Sequence, residues 1–287
     1  MGLGVSPNQP HPAIGDFSGE RCMRLSVPHY PTLARFAIVL ALGLLASGCA
    51  MLDSGSPRVA SLEPASGHAL AAFSIHPPEV GIPAHWKPVD FGAFKRPTEY
   101  QMVNLQGRTC IRATADASAS MLVHQTHFEA SAFPMLHWSW NVPSLIASAD
   151  NTQRQREDSP ARIVIAFEGD SSRLSALERM NARQFQLLTG SPMPFATLMY
   201  IRGNHTAPET IISSTHTDRI KMIVAESGPE GLGQWQTFTR NLVDDYRRAF
   251  GEAPGRVAWI GLMTDADNTR ERTHAYYGDV TFAALSR

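Results

Sequence analysis

The chain has 287 residues, of which 18% are charged, and a formal net charge of −1. This balance is typical of an ordinary folded protein, and it excludes the strongly basic surface of a nucleic-acid-binding domain and the composition of an acidic tail. Only three of the 25 cationic residues are lysines, and no cluster of cations is dense enough to follow a phosphate backbone. We therefore expect no nucleic-acid partner.

The first predicted element is a short apolar segment typical of a secretory signal. Arg35 precedes eleven apolar or small residues, 36–46, and small residues then lead to Cys49. A core of this length is too short for a membrane span, which needs about 20 residues. The sequence LASGC at 45–49 resembles the lipobox of bacterial lipoproteins. That resemblance implies cleavage before Cys49 and lipid attachment to its thiol and new amino group; the alternative is a plain secretory signal with an incidental cysteine.

The lipobox divides the chain into three predicted regions. Residues 1–48 form an N-terminal extension and lipoprotein signal peptide, 49–80 a flexible tether rich in Ser, Pro, Gly and Ala, and 81–287 a β-sandwich domain. Membrane lipid, attached through Cys49, is the expected partner at this end. The residue after the cysteine is Ala50 and not aspartate, and in this the sequence resembles lipoproteins sorted to the outer membrane. We therefore expect a lipid-anchored protein of the bacterial cell envelope, in the outer membrane and facing the periplasm.

Within the third region, alternation of apolar and polar residues predicts mainly β-strands. The clearest strand is 136–142, in which Trp138 and Trp140 share one face with other apolar residues while polar residues occupy the other face. Further strands are predicted at 99–105, 109–114, 120–128, 161–167, 197–201, 211–213, 219–225, 257–263 and 275–282. Apolar spacing of three to four predicts two helices, over 174–188 and 238–250. Many short strands with two helices favour a β-sandwich over a parallel α/β sheet.

Several segments together resemble a family of bacterial envelope proteins known as domain of unknown function 3047. The similarity covers about 86–282 and rests on PMLHWSWNV at 134–142, EDSPAR at 157–162, DYRRAFG at 245–251, MTDADNT at 263–269 and AYYGD at 275–279. Members commonly carry two acidic residues before Pro-Ala-Arg, whereas this chain has Asp158 followed by a serine. The family carries no established activity, so the resemblance implies a fold and not a reaction. It implies an all-β, jelly-roll-like β-sandwich, galactose-binding or concanavalin-like, with two helical insertions.

Two carboxylates, Asp265 and Asp267, follow the predicted strand 257–263 and form the best candidate ligand site. A phosphatase nucleophile loop does not fit, because only 18 residues follow Thr269 and further catalytic groups would need more strands. An EF-hand does not fit either, because Arg270 occupies the position of its required glycine. Two interpretations stay open.

The first interpretation is an irregular calcium site made by Asp265, Asp267 and Asp279, and calcium is the only cofactor that the sequence suggests. The second, which we favour, is a turn in which Asp265, Asp267 and Asn268 accept hydrogen bonds from nearby backbone N–H groups. Jelly-roll carbohydrate-binding modules often carry an aspartate in the last strand, and Asp279 resembles it.

Other candidate ligand-binding residues are two tryptophans and one pair of opposite charges. Trp138 and Trp140 suit stacking against a sugar, but their apolar neighbours favour a place in the core for at least one of them. Asp158 and Arg162, four residues apart, are candidates for ligand contact or for a structural ion pair.

Three functions follow as alternatives. The favoured function is non-catalytic binding of a carbohydrate or other polar ligand. The second is a periplasmic glycan-acting hydrolase or lyase that uses two of the four aspartates Asp158, Asp265, Asp267 and Asp279 as acid and base. The third is a structural envelope protein that binds other proteins.

Overall fold

The computed structural model describes residues 67–92, 95–189, 192–215 and 217–285. The predicted signal peptide, Cys49 and the first part of the predicted tether lie outside these residues. The strands are β1 (Gly67–His68), β2 (Trp86–Asp90), β3 (Glu99–Leu105), β4 (Arg108–Asp116), β5 (Ala119–Glu129), β6 (Met135–Asn141), β7 (Arg162–Phe167), β8 (Ala196–Gly203), β9 (Ile211–Ser213), β10 (Ile220–Ser227), β11 (Trp235–Asn241), β12 (Arg256–Asp265), β13 (Arg272–Tyr277) and β14 (Thr281–Ala283). The α-helices are α1 (Ala176–Thr189) and α2 (Leu242–Phe250), and single 3₁₀ turns occupy Pro78–Val80 and Ser171–Arg173.

The strands form two sheets of seven strands each. Sheet A has the order β1-β14-β6-β13-β4-β3, with β11 paired along the other side of β6. Sheet B has the order β2-β5-β12-β7-β8-β10-β9 and is antiparallel except for the β8–β10 pair. The chain changes sheets repeatedly, as in a jelly roll. The predicted all-β, jelly-roll-like β-sandwich with two helical insertions is confirmed: α1 follows β7 and α2 follows β11.

The core lies between the two sheets, where alternate residues of each strand point inward. The predicted strand 136–142 is β6, the centre of sheet A. Its Trp138 ring lies 4.8 Å from the Tyr200 ring of sheet B and stacks at 4.8 Å on Phe238 of β11. Buried aromatic residues of this size contribute a large share of the apolar area that stabilises a sandwich. The two tryptophans that anchor this core are therefore structural.

The prediction of the second helix over 238–250 placed its start too early in the chain. Residues Trp235–Asn241 form β11 and pair with β6 over their whole length, and α2 begins only at Leu242. The Asn241 side chain caps this helix by accepting hydrogen bonds from Val243 N and Asp244 N. Helix α1 starts with a capping box, in which Ser175 Oγ accepts from Glu178 N while the Glu178 carboxylate accepts from Ser175 N.

The predicted tether also needs a correction in its second half. Residues 67–76, which we call the N-terminal strap, pack on the sandwich instead of forming a flexible linker. Phe73 is fully buried, and its backbone N–H donates to the Asp279 carboxylate at 2.6 Å. The Trp86 indole N–H donates to Ala71 O at 2.8 Å. Apolar burial and satisfied backbone groups fix the strap from its first described residue.

Neither helix of the described residues is long and apolar enough to cross a membrane.

Candidate functional site

The predicted acidic loop lies at the end of β12, and its first carboxylate is buried in an ion pair. Arg162 Nε donates to Asp265 Oδ1 at 2.7 Å and Nη2 donates to Oδ2 at 3.0 Å. The two side chains are only 4% and 5% exposed. This bidentate geometry joins β7 to β12. The ion pair of Arg162 is therefore made with Asp265, 103 residues away, and not with its near neighbour Asp158.

The other carboxylates of this region also face protein donors. Asp158 accepts hydrogen bonds from Asn268 N at 3.2 Å, from Thr269 N at 2.7 Å and from Thr269 Oγ1 at 2.7 Å. Asp267 pairs with Lys95 Nζ at 2.6 Å. The turn interpretation assigned the acceptors of the loop N–H groups to the side chains of Asp265, Asp267 and Asn268. The Asp158 carboxylate, from outside the loop, accepts from the Asn268 and Thr269 N–H groups instead.

The predicted calcium set does not come together as stated. Asp279 binds the N-terminal strap, where its carboxylate accepts from Phe73 N and from Ser74 N and Oγ. The three carboxylates that do meet are Asp158, Asp265 and Asp267, each with an oxygen within 4.8 Å of the others. Arg162 and Lys95 already lie against this group. Each of the three carboxylates is therefore already bonded to a protein cation or to backbone N–H groups.

The electrostatics of this cluster are those of a buried network. Burial raises the pKa of Asp265 to about 6, with further repulsion from Asp158 and Asp267, while Arg162 opposes the shift. Bidentate contact with Asp265 raises the pKa of Arg162 in spite of its burial. A carboxylate that is covered and already paired has little free surface for a ligand. The arrangement is suited to locking strand ends together.

The prediction that Trp138 and Trp140 stack on a ligand is wrong, because both rings are buried between the sheets. Their neighbours on the strand, His137 and Ser139, belong to the outer face of sheet A. The aromatic surface of β6 is therefore used by the core, and a ligand site has to be sought on the outer faces.

One such site is a cleft of about 690 Å³ on the outer face of sheet B, which we call the sheet B cleft. It lies between strands β5 and β12 on one side and the helical insertion after β7 on the other. Its polar lining includes Gln125, His127, Glu168 and Ser171, and its apolar lining includes Trp259, Leu174, Met193 and Phe195. Its volume falls in the range of small-molecule sites, about 300–1,000 Å³.

The strands place the polar wall of the cleft by simple alternation. Gln125 and His127 lie on β5 on the opposite face from the core residue Phe128, and Gln125 is the register partner of Trp259 on β12. Glu168 directly follows β7, and its carboxylate lies 2.9 Å from His127 Nε2. An aromatic ring thus stands beside an amide, an imidazole and a carboxylate.

The opposite wall is closely packed at two glycines. A Cβ atom at Gly169 would overlap the Phe195 ring, and one at Gly255 would overlap the backbone carbonyl of Glu168. The other side of the Phe195 ring is covered by the Arg219 guanidinium, 3.9 Å from the ring centroid. These contacts hold the Phe195 ring in the wall of the cleft.

Sequence reasoning missed these cleft residues. A signal was present for β5, since the alternation within 120–128 places Gln125 and His127 on the face away from the core residue Phe128. Trp259 gave no such signal, because the register of β12 shifts between the core residue Val257 and Trp259. The contribution of the insertion had no such signal, because its loops carry no period.

Residues 84–281 match the protein family described as "Protein of unknown function (DUF3047)". The chain belongs to this family. The DUF3047 family match spans both sheets, from just before β2 to β14, and includes the acidic loop and the strands of the sheet B cleft. No functionally curated protein matches the chain.

Solved structures share the general architecture with this DUF3047 member. The family 11 carbohydrate-binding module of the cellulase Lic26A-Cel5E of Clostridium thermocellum has 9% identity and a TM-score of 0.36, over 72% of this chain and 92% of the module. The endoglucanase 3 of Trichoderma harzianum, from family GH12, has 7% identity and a TM-score of 0.36, over 71% of this chain and 100% of the enzyme. Scores at this level carry no argument about ligand or reaction, and the fold class rests on the two sheets themselves.

Proposed function

We propose that the protein is a non-catalytic carbohydrate-binding β-sandwich of the bacterial envelope, anchored to a membrane by lipid on Cys49, that holds a saccharide in the sheet B cleft. The observation that carries this proposal is that the half-buried Trp259 ring and the polar row Gln125, His127 and Glu168 line one cleft.

A saccharide needs both kinds of surface. The C–H face of a pyranose ring is apolar and packs on an aromatic ring, whereas its hydroxyl groups need hydrogen-bond donors and acceptors around the edge. Trp259 supplies the ring, Gln125 donates and accepts, and Glu168 accepts. His127 and Glu168 are bonded to each other, so each is held in place for the ligand.

The composition of the lining favours binding over hydrolysis. A glycosidase uses two carboxyl groups, about 5–10 Å apart, on either side of the scissile bond. Among the described residues of the cleft lining there is one carboxylate, Glu168. The hydrolase alternative takes its acid and base from four aspartates, and each of them has a protein partner. Asp158 and Asp265 are buried and bonded to protein groups, Asp267 pairs with Lys95, and Asp279 binds the N-terminal strap.

Two solution experiments test the binding site. Titration of the purified protein with neutral oligosaccharides of glucose, galactose, mannose and N-acetylglucosamine identifies a ligand. Trp259→Ala is expected to weaken its binding at least about ten-fold, as for a central aromatic contact. The matched control is Trp235→Ala, which removes a partly buried tryptophan on sheet A that stacks with Arg108 at 4.6 Å. Failure of all four sugars to bind, or equal losses in the two variants, contradicts the proposal.

The anchor is tested separately. The proposed lipoprotein should fractionate with membranes and incorporate a labelled fatty acid, and Cys49→Ser should abolish both. Cys22→Ser and Cys110→Ser serve as controls that remove the other two cysteines of the sequence. Retention of the label in Cys49→Ser would exclude this anchor without affecting the cleft.

A further inference from the structure

The outer face of sheet A carries a second concave region, formed by β3, β4 and β13. It is a groove of about 440 Å³ lined by Glu99, Arg112, Thr114, Arg272, His274 and Tyr276, which we call the sheet A groove. The strand register explains why these side chains meet. His274 lies opposite Thr114, which lies opposite Glu99, while Tyr276 lies opposite Arg112. Residues at even spacing share a face, so all six side chains share the outer face.

Two arginines in this groove lack a carboxylate partner. Within the described part of the chain, neither Arg112 nor Arg272 forms a salt bridge with an acidic side chain. Arg112 donates from Nη2 to the Gln101 side-chain oxygen, and its Nε is buried without any hydrogen-bond partner. Neither guanidinium charge is neutralised by a salt bridge within the groove. The groove therefore has unused capacity for an anion.

His274 stands between the two arginines and shows that their charges converge. Burial lowers the pKa of His274, and the nearby Arg112 and Arg272 lower it further. The imidazole is thus neutral at physiological pH and offers one donor and one acceptor. Its ring meets the Tyr276 ring edge to face, with 5.6 Å between centroids. A neutral, hydrogen-bonding and aromatic centre lies between two cations.

Glu99 sets the limit on ligand charge. Its carboxylate accepts a hydrogen bond from the Gln101 amide, whose oxygen in turn accepts from Arg112. The groove lining has one carboxylate against two guanidinium groups, which gives a net charge near +1 when His274 is neutral. At the adjoining end of the same face, Asp116 opposite Arg272 and the nearby Arg96 add one charge of each sign. Such a site suits a ligand with one acidic group and several hydroxyl groups better than it suits a polyanion.

We propose that the sheet A groove binds an acidic saccharide, with its carboxylate or phosphate on Arg112 and Arg272, hydroxyl groups on Glu99 and His274, and a ring face on Tyr276. This site lies on the opposite sheet from the sheet B cleft and does not depend on it. Arginine forms charge-assisted, bidentate bonds with either acidic group, so the chemistry is shared by uronic acids and sugar phosphates.

Titration followed by NMR chemical shifts tests the groove with four probes: glucuronic acid, glucose 6-phosphate, glucose and inorganic phosphate. Each acidic sugar differs from glucose only in its acidic group. At least one acidic sugar is expected to bind about ten-fold or more tightly than glucose, because it adds charge-assisted hydrogen bonds. Equal binding of all sugars, binding of neither acidic sugar, or binding of inorganic phosphate as tight as that of the sugars, overturns the proposal.

The variants assign the binding to the groove. Arg112→Gln with Arg272→Gln should weaken binding of the acidic sugar at least about ten-fold and remove its preference over glucose. The control is Arg154→Gln with Arg247→Gln, two exposed arginines outside the groove that remove the same formal charge. Equal losses in both variants would show only a general charge effect and overturn the site, provided that both retain the wild-type melting temperature. In the Trp259→Ala variant the preference for the acidic sugar over glucose must persist; if this preference is lost, the acidic ligand belongs in the sheet B cleft.

Discussion

Replacing Asp265 by alanine would leave the Arg162 guanidinium buried without its carboxylate. The guanidinium is 4% exposed, so water cannot replace the two bonds of 2.7 and 3.0 Å that it loses. Its contacts with Glu157 O and Met222 Sδ are uncharged, and the Glu157 and Asp158 carboxylates attract it less strongly than Asp265 does. Removing one partner of a buried ion pair costs about 3–5 kcal/mol of unfolding free energy, and we expect Asp265→Ala to fall in this range.

The double variant separates the ion pair from the rest of the site. Arg162→Met with Asp265→Ala removes both charges and keeps an apolar side chain at position 162. The unpaired charge is then gone, so the loss in the double variant should be smaller than the sum of the single losses by about 2–3 kcal/mol.

Urea unfolding at pH 7, followed by tryptophan fluorescence, measures all four free energies. Arg162→Met alone should also be destabilising, because it leaves the Asp265 carboxylate buried beside Asp158 and Asp267. A loss below about 1 kcal/mol for Asp265→Ala is the value of a surface pair and would refute the reasoning, as would additive losses in the double variant.

Three further predictions concern the turn, the strap and a buried histidine. Asp158→Ala should lower the free energy of unfolding by about 1–3 kcal/mol, because it leaves the Asn268 and Thr269 N–H groups unbonded. Asp267→Ala should lower it by at most about 1 kcal/mol, because it removes a partly exposed ion pair with Lys95. Urea unfolding that ranks the two variants the other way contradicts the assigned contacts. Phe73→Ala should cost about 3–5 kcal/mol and the nearby Ile75→Ala, with Ile75 74% exposed, almost nothing; equal melting temperatures would mean that the strap is a free tether. Burial, with smaller contributions from His85 and His68, lowers the pKa of His124 from its ordinary 6.5, so the unfolded state binds more protons just below that pH. Stability should therefore fall as the pH drops below about 6.5, and His124→Gln, compared by melting between pH 5 and 8, should show a weaker fall; an unchanged slope refutes the assignment.

The strands that could be predicted from the sequence are those whose pattern is complete within the strand. β6 and β7 show their period or apolar run in six or seven consecutive residues, so the local sequence suffices. The sequence did not predict β11, because Phe238 also fits the spacing of the apolar face of α2 and was assigned to that helix. Its actual partner is Trp138, 100 residues earlier in the chain, and a local pattern contains no trace of that contact.

The candidate site was predicted by the same local reasoning and shares its limits. Asp265 and Asp267 were both expected to follow the strand 257–263. In the structure β12 extends to Asp265, and only Asp267 lies beyond the strand, with its carboxylate within 4.8 Å of that of Asp265. The partner of Arg162 was sought four residues away at Asp158, whereas the fold brings Asp265 to it from 103 positions away. Neither the sheet B cleft nor the sheet A groove is contiguous in sequence. Both arise where strands from distant parts of the chain become neighbours.

The pairing of β1 with β14 places the two ends of the domain side by side. Gly67 and Ala283 are direct register partners at the edge of sheet A. A few added residues would join them into a closed ring, and a new opening in a surface loop such as the one between β8 and β9 would then give a circular permutant with the same sheets. The first and last strands of the domain therefore end next to each other, and a segment fused to β1 or to β14 would start from the same edge of sheet A.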